Sequence, residues 1–151
     1  MDMRFAGVTE SNLNQVLSMT VLPEQRKYVP SAEGILARAW SHRENNAVVH
    51  VIMNDTQAVG LMLYYELTEE PACYCLMEMM IDAQYQNRGF GKAALRLLIE
   101  ELSKAPRYPM IELSCDRENV GAIHVYESVG FADSGYVDPD LPQYVNMVYR
   151  F

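Results

Sequence analysis

The chain predicts a single-domain α/β fold with a mixed antiparallel and parallel central sheet flanked by helices. Three observations carry this. Strand-like segments run first as an antiparallel meander and then alternate with helices, an order that gives a sheet of both senses. A helix with a clear apolar stripe joins two of those strands, and strands joined by a crossover helix lie parallel. A length of 151 residues at 50% hydrophobic content suffices for one core and leaves no room for a second, so residues 1–151 are expected to form one domain.

The elements follow in order. Residues 3–8 read as a first strand, and Thr9 can cap a helix whose apolar positions Leu13, Val16 and Leu17 share a face. Pro23 and Pro30 bracket an irregular stretch, after which Ser31 can cap a second helix carrying Ile35, Leu36 and Trp40. Residues 47–53 and 58–67 flank the turn-rich Asn54-Asp55-Thr56-Gln57 and predict a hairpin. Residues 68–71 turn the chain again into a third strand of this run, residues 72–81. A glycine-containing turn comes next, then a helix in which Leu95, Leu98, Ile99 and Leu102 form an i, i+3, i+4, i+7 stripe, the signature of a core-facing surface. Pro106 and Pro109 stop that helix, and residues 110–115 make a further strand. Residues 119–129 form a second crossover helix, with Gly130 as its C-cap. A loop holding Pro139 and Pro142 precedes a final strand from about Tyr144.

Bulk properties limit the functions available. Twelve basic against twenty acidic residues give a formal charge of -8, which repels nucleic acid and anionic membranes and favours cationic partners. No apolar run nears the roughly 20 residues of a membrane span, and the start Met1-Asp2-Met3-Arg4 is unlike a signal peptide, so a cytoplasmic protein is expected. The three cysteines form no disulfide framework, and Cys73 and Cys75 lack the two further ligands of a metal site. Buried reduced thiols and no metal are expected.

The glycine turn, Gln86-Asn87-Arg88-Gly89-Phe90-Gly91-Lys92, carries the chemistry. Gly89 to Ala94 satisfies the dinucleotide pattern G-x-G-x-x-A, with Glu112 at about the spacing of the ribose-binding acid. That match is shallow: residues 82–88 separate the turn from its strand, and the chain lacks two βαβ halves. A P-loop fails because Ala93 stands where a magnesium-binding Ser or Thr is needed. A plain surface turn would account for Gly89 alone, but not for a second motif some thirty residues later, Asn119-x-x-Ala122-x-x-x-Tyr126-x-x-x-Gly130-Phe131.

Together the two motifs resemble those of the GNAT family of N-acetyltransferases, specifically over residues 74–131 and in element order over the whole chain. The resemblance implies an enzyme that moves acetyl from acetyl-coenzyme A to an amine. It implies that the backbone around Gln86, Asn87, Arg88, Gly89, Phe90, Gly91 and Lys92 holds the diphosphate, as a helix N-terminus with free N–H groups is suited to do. Two strands are then expected to splay beyond Met80, with Met79 and Ile81 offering backbone groups to the pantetheine arm and an N–H near Met80 meeting the oxyanion. By the same resemblance Tyr126 protonates the departing thiolate and Asn119 helps hold the coenzyme. Glu78 is the candidate general base or amine anchor, since an amine near pKa 10 must lose a proton before it attacks. His42, His50 and His124 are scattered, and His124 is expected on a different helix face from Tyr126.

The acceptor is addressed by "VLPEQRKYVPS", residues 21–31, which looks like the acceptor loop of bacterial spermine/spermidine acetyltransferases and nominates Gln25 and Tyr28 beside Glu78 as substrate-binding. Met77 departs from the acid those enzymes carry. Glu66, Glu69, Glu70 and Glu78 read either as an acidic groove for a polyamine such as spermidine or spermine or as a solvated surface. Another small amine, an aminoglycoside, a protein amino group, or a non-catalytic coenzyme A-binding module remain alternatives. The apolar segment of residues 144–151 reads either as a homodimer interface or as an ordinary core strand.

Overall fold

A computed structural model describes residues 1–151 as one seven-stranded sheet in the order β1-β2-β3-β4-β5-β7-β6, with two helices on each face. Strands β1 (Met3–Ala6), β2 (Val48–Asn54), β3 (Gln57–Leu67) and β4 (Cys73–Ile81) form the antiparallel run. Helix α3 (Phe90–Ser103) crosses to β5 (Met110–Asp116), which is parallel to β4. Helix α4 (Val120–Ser128) leads to β6 (Ala132–Asp133) and β7 (Tyr144–Arg150), and β7 inserts between β5 and β6. The two-residue β6 carries no alternation pattern and was not visible in the sequence. No helix is long and apolar enough to cross a membrane.

Each face of the sheet has its own core. Phe90, Ala94, Leu95 and Leu98 of α3 pack with Tyr74, Leu76, Ile111, Leu113 and Met147 on one side. On the other, Val16 of α1 (Leu13–Leu17) and Ala32 and Ile35 of α2 (Ala32–Ser41) cover Val51, Leu61, Leu63 and Met80. Ser31 caps α2 as expected, accepting from the Gly34 N–H at 3.2 Å. Two local expectations are corrected. Helix α1 starts at Leu13 because Asn12, not Thr9, is its N-cap, the Asn12 side chain instead accepting the Thr9 N–H at 2.8 Å. Trp40 is 68% exposed, its ring stacked by Arg43 at 4.5 Å, because at about 100° per residue it falls at the edge of the face that Ala32, Ile35, Leu36 and Ala39 turn to the core.

The pairing of β3 with β4 sets the site. A register shift between Leu63 and Tyr64 leaves Met77 as an extra residue on β4, opposite Leu63–Glu78 on one side and Tyr64–Leu76 on the other. This is a β-bulge, and it breaks the alternation of faces. Met77 packs on the α1/α2 side, Glu78 meets Arg38 of α2, and Met79 and Ile81 then turn to the α3 side. Gly60 lets β3 lie this close to β4: a Cβ there would collide with the Met80 carbonyl and come within 2.9 Å of Ile81 Cδ1. Gly60→Ala is therefore expected to cost roughly 1–3 kcal/mol of stability, read as a lowered denaturant midpoint; an unchanged midpoint would show that β4 can shift freely.

Candidate active site

Strands β4 and β5 pair only at Tyr74–Ile111 and Cys75–Glu112. The splay thus opens at Leu76, not beyond Met80 as the family resemblance implied, because the bulge at Met77 turns β4 aside just there. Backbone direction follows from the ladder with β3. Asp82 donates to the Val59 carbonyl at 2.9 Å, and Leu61 faces Met80, so Met80 and Asp82 direct their polar groups toward β3. Met79 and Ile81 direct theirs into the gap. The N–H of Met80 is accordingly spent in the ladder, whereas that of the adjacent Met79 faces the gap.

The chain then makes a 3₁₀ turn, Ala83–Tyr85, capped by Asp82, and enters the glycine segment. Asn87 at φ 59° and Gly89 at φ 84° are left-handed, which curls the backbone before α3 begins. No backbone N–H from Gln86 to Lys92, seven residues in sequence, donates to any protein acceptor; the first helical donor is Ala93, to Gly89. Seven free donors at a helix N-terminus form a ready anion cradle, and this fits a diphosphate. Gly91 is not left-handed, and a Cβ there would make only ordinary contacts with Ile81 and Met79, so its bareness serves the cleft rather than the turn.

A cleft of about 440 Å³ runs from this turn along α4. It gathers Met79, Met80, Ile81, Gln86, Asn87, Gly89, Phe90, Gly91, Lys92, Asn119 and Tyr126 with Gln25 and Tyr28 of the residue 21–31 loop. Two named residues fall outside its lining. The Arg88 guanidinium lies over the rings of Tyr85 and Phe90, at 5.7 and 5.3 Å, and only its backbone N–H belongs to the cradle. Glu78 sits on the α2 side of the gap, its side chain 14% exposed and 3.9 Å from the Arg38 Nε. Burial pushes its carboxyl up to about 7, against the pull of the Arg38 guanidinium.

Tyr126 is held by α4, whose N-cap Asn119 accepts the Ala122 N–H at 3.4 Å. Burial raises the Tyr126 phenol first, with Cys115 and Glu78 adding to the shift, so the hydroxyl keeps its proton. His124 also lines the cleft: α4 has no fully buried residue, so more than one of its faces reaches the opening. His42 stacks on Tyr65 and His50 on Phe5, and neither lines the cleft.

The acidic groove is not formed. Glu66 is 3% exposed and committed to Arg107, to the Tyr108 hydroxyl at 3.0 Å and to Asn46 at 2.9 Å. Glu69 and Glu70 lie in the β3–β4 turn, at the opposite end of β4 from the glycine segment. Glu78 alone of the four approaches the gap. Burial raises all three thiols, Cys73 to about 12 and Cys75 and Cys115 to about 11, which keeps them protonated near neutral pH. Neither Arg38 nor the Met77 bulge carried a sequence signal, since each acts through a partner strand or helix distant in the chain.

A splayed sheet edge beside an anion cradle at a helix N-terminus defines a class, a binder of a long diphosphate-bearing arm. The chain belongs to the Acetyltransferase (GNAT) family, whose model matches residues 14–131, and it is an N-acetyltransferase dependent on acetyl-coenzyme A. It is 28% identical over 143 residues to the spermine/spermidine N(1)-acetyltransferase of Bacillus subtilis (strain 168), covering 91% of this chain and 93% of that protein. Its fold is similar to that of the aminoglycoside acetyltransferase AAC(6')-Ib in complex with coenzyme A, with TM-score 0.78 and 18% identity over 99% of this chain and 95% of that one. It is similar also to spermidine N-acetyltransferase from Vibrio cholerae in complex with coenzyme A and spermine, with TM-score 0.74 and 16% identity over 99% and 95% of the two chains.

Gly89→Glu would force a side chain into left-handed backbone and set a negative charge against the cradle. Coenzyme A affinity by calorimetry is expected to fall at least about tenfold; retained affinity would move the diphosphate elsewhere.

Proposed function

We propose that residues 1–151 act as one N-acetyltransferase domain that acetylates a primary amine of a small cationic acceptor, a polyamine such as spermidine or spermine. The observation that carries this reading is the likeness to the Bacillus subtilis spermine/spermidine enzyme along 91% of the chain. It is supported by the loop of residues 21–31, whose Gln25 and Tyr28 share a cleft with the glycine turn. The likeness in fold to AAC(6')-Ib keeps an aminoglycoside as the second reading.

Acetyl-coenzyme A supplies an acetyl group already activated as a thioester. The free N–H groups of residues 86–92 bind its diphosphate, and Asn119 lies where it can contact the arm. Glu78 accepts the amine proton, directly or through water, and a carboxyl pushed up to about 7 is matched to that task near neutral pH. The Met79 N–H stabilises charge developing on the carbonyl oxygen. Tyr126, with its proton retained by burial, returns a proton to the departing thiolate. With one carboxylate near the gap, recognition of the acceptor centres on a single ammonium.

The first experiment is thiol release from acetyl-coenzyme A in the presence of spermidine, spermine, an aminoglycoside or a lysine-bearing peptide. Polyamine-dependent release is expected; release with the aminoglycoside alone would favour the second reading. Tyr126→Phe is expected to lower kcat about 10²-fold or more while leaving coenzyme affinity near wild type, and unchanged kcat would return the residue to packing. For Glu78 the sign is definite. The ionised form is active, so kcat/KM falls as pH drops through about 7. Arg38→Met removes the group that favours ionisation, and the acid limb should move to higher pH; a limb that stays put would exclude Glu78 as the titrating base.

A further inference from the structure

The strongest unassigned feature is a pair of glutamines, 61 residues apart in sequence, that join the two halves of the cleft. The Gln25 Nε2 donates to the Gln86 Oε1 at 3.0 Å, and the Gln86 Nε2 donates back to the Gln25 Oε1 at 2.8 Å. Both amides have a further duty on their own side. Gln86 also donates to the Ile81 carbonyl at 2.9 Å, and the Gln25 oxygen accepts the Leu22 N–H at 3.1 Å, closing the 3₁₀ turn Pro23–Gln25. Both Nε2 hydrogens of Gln86 are thereby used, and this side chain has no donor left for a ligand.

We propose that the Gln25–Gln86 pair is a positioning tie that makes order in the acceptor loop depend on coenzyme occupancy of the glycine turn. Gln86 contributes the first of the seven free N–H groups, so an anion seated there fixes the residue whose side chain grips Gln25. Gln25 in turn organises the loop that carries Tyr28 and Val29 into the cleft. Few other bonds restrain these segments against each other; one is the Ala83 N–H to the Thr20 carbonyl at 2.7 Å. Each segment is a short 3₁₀ turn rather than part of a long helix or the sheet, and such elements depend on a few side-chain bonds for their position. The tie also holds the Ile81 carbonyl, so the end of β4, the glycine turn and the loop move together. The inference rests on the assignment of residues 86–92 to the coenzyme and of the residue 21–31 loop to the acceptor.

The test is hydrogen exchange with and without coenzyme A on the wild-type chain, Gln25→Leu and Gln25→Asn, the last keeping polarity but one methylene too short to span the pair. In the wild type, coenzyme A is expected to slow exchange at residues 86–93 and also at residues 20–30. In both variants residues 86–93 should still respond, while residues 20–30 should exchange at the ligand-free rate, and coupling between coenzyme A and spermidine affinities should shrink about fivefold or more. Equal protection of residues 20–30 in wild type and variants, or none there in wild type, overturns the tie alone. No protection at residues 86–93 in the wild type overturns the coenzyme assignment and the tie with it.

Discussion

Two residue pairs are all that hold β4 to β5, and the rest of the site depends on the parting that follows. A sheet can stand open in its middle only if each strand is anchored on its far edge. β4 is paired with β3 through eight register positions, and β5 with β7 through seven. The freed edge is a row of unpaired backbone groups, ordinarily a hazard in a sheet. Here the edge lines a cleft bounded by the start of α3 and by α4, so the groups that would recruit a stray strand face the cleft instead. The bulge at Met77 and the bare Cα of Gly60 cooperate in this: one turns β4 away from β5, the other lets it lean onto β3.

The sequence disclosed the fold to the extent that local patterns reflect it. The apolar stripe of α3, the Ser31 cap, the Asn54–Gln57 turn and the Gly130 terminus, at φ 107°, are all set by residues within one or two turns of each other. The glycine turn and the Asn119 and Tyr126 positions were legible for the same reason. What stayed hidden was non-local. The start of the splay is decided between strands some 35 residues apart, the Gln25–Gln86 pair spans 61 residues, and the internal ion pair of Glu66 with Arg107 could not be told from four glutamates on a groove. Trp40 shows the converse error: its spacing puts it near an apolar face, but Ala32, Ile35, Leu36 and Ala39 fill that face and leave Trp40 at its edge.

The electrostatics also separate global from local. A formal charge of -8 describes the surface as a whole and bears on which ligands approach. The site itself holds little of that charge. Lys92 and a free helix N-terminus favour an anion at one end of the cleft, and Glu78 offers a single carboxylate near the other. The overall field thus bears on encounter, while under the proposed function a single carboxylate would bear on fit.

The order of the sheet differs from the order of the chain, and this has a consequence for how the molecule comes to exist. β5 is complete by Asp116, yet the strand that braces its outer edge spans Tyr144–Arg150, with α4 and β6 made in between. During synthesis the glycine turn and α3 are made first, and when β5 follows it has one unguarded side and only two pairs on the other. Such an intermediate is exposed to misassociation until β7 arrives. Competence for catalysis is thus acquired late and all at once, and a ribosome paused after α4 would display a nascent chain with both motifs present and no working enzyme.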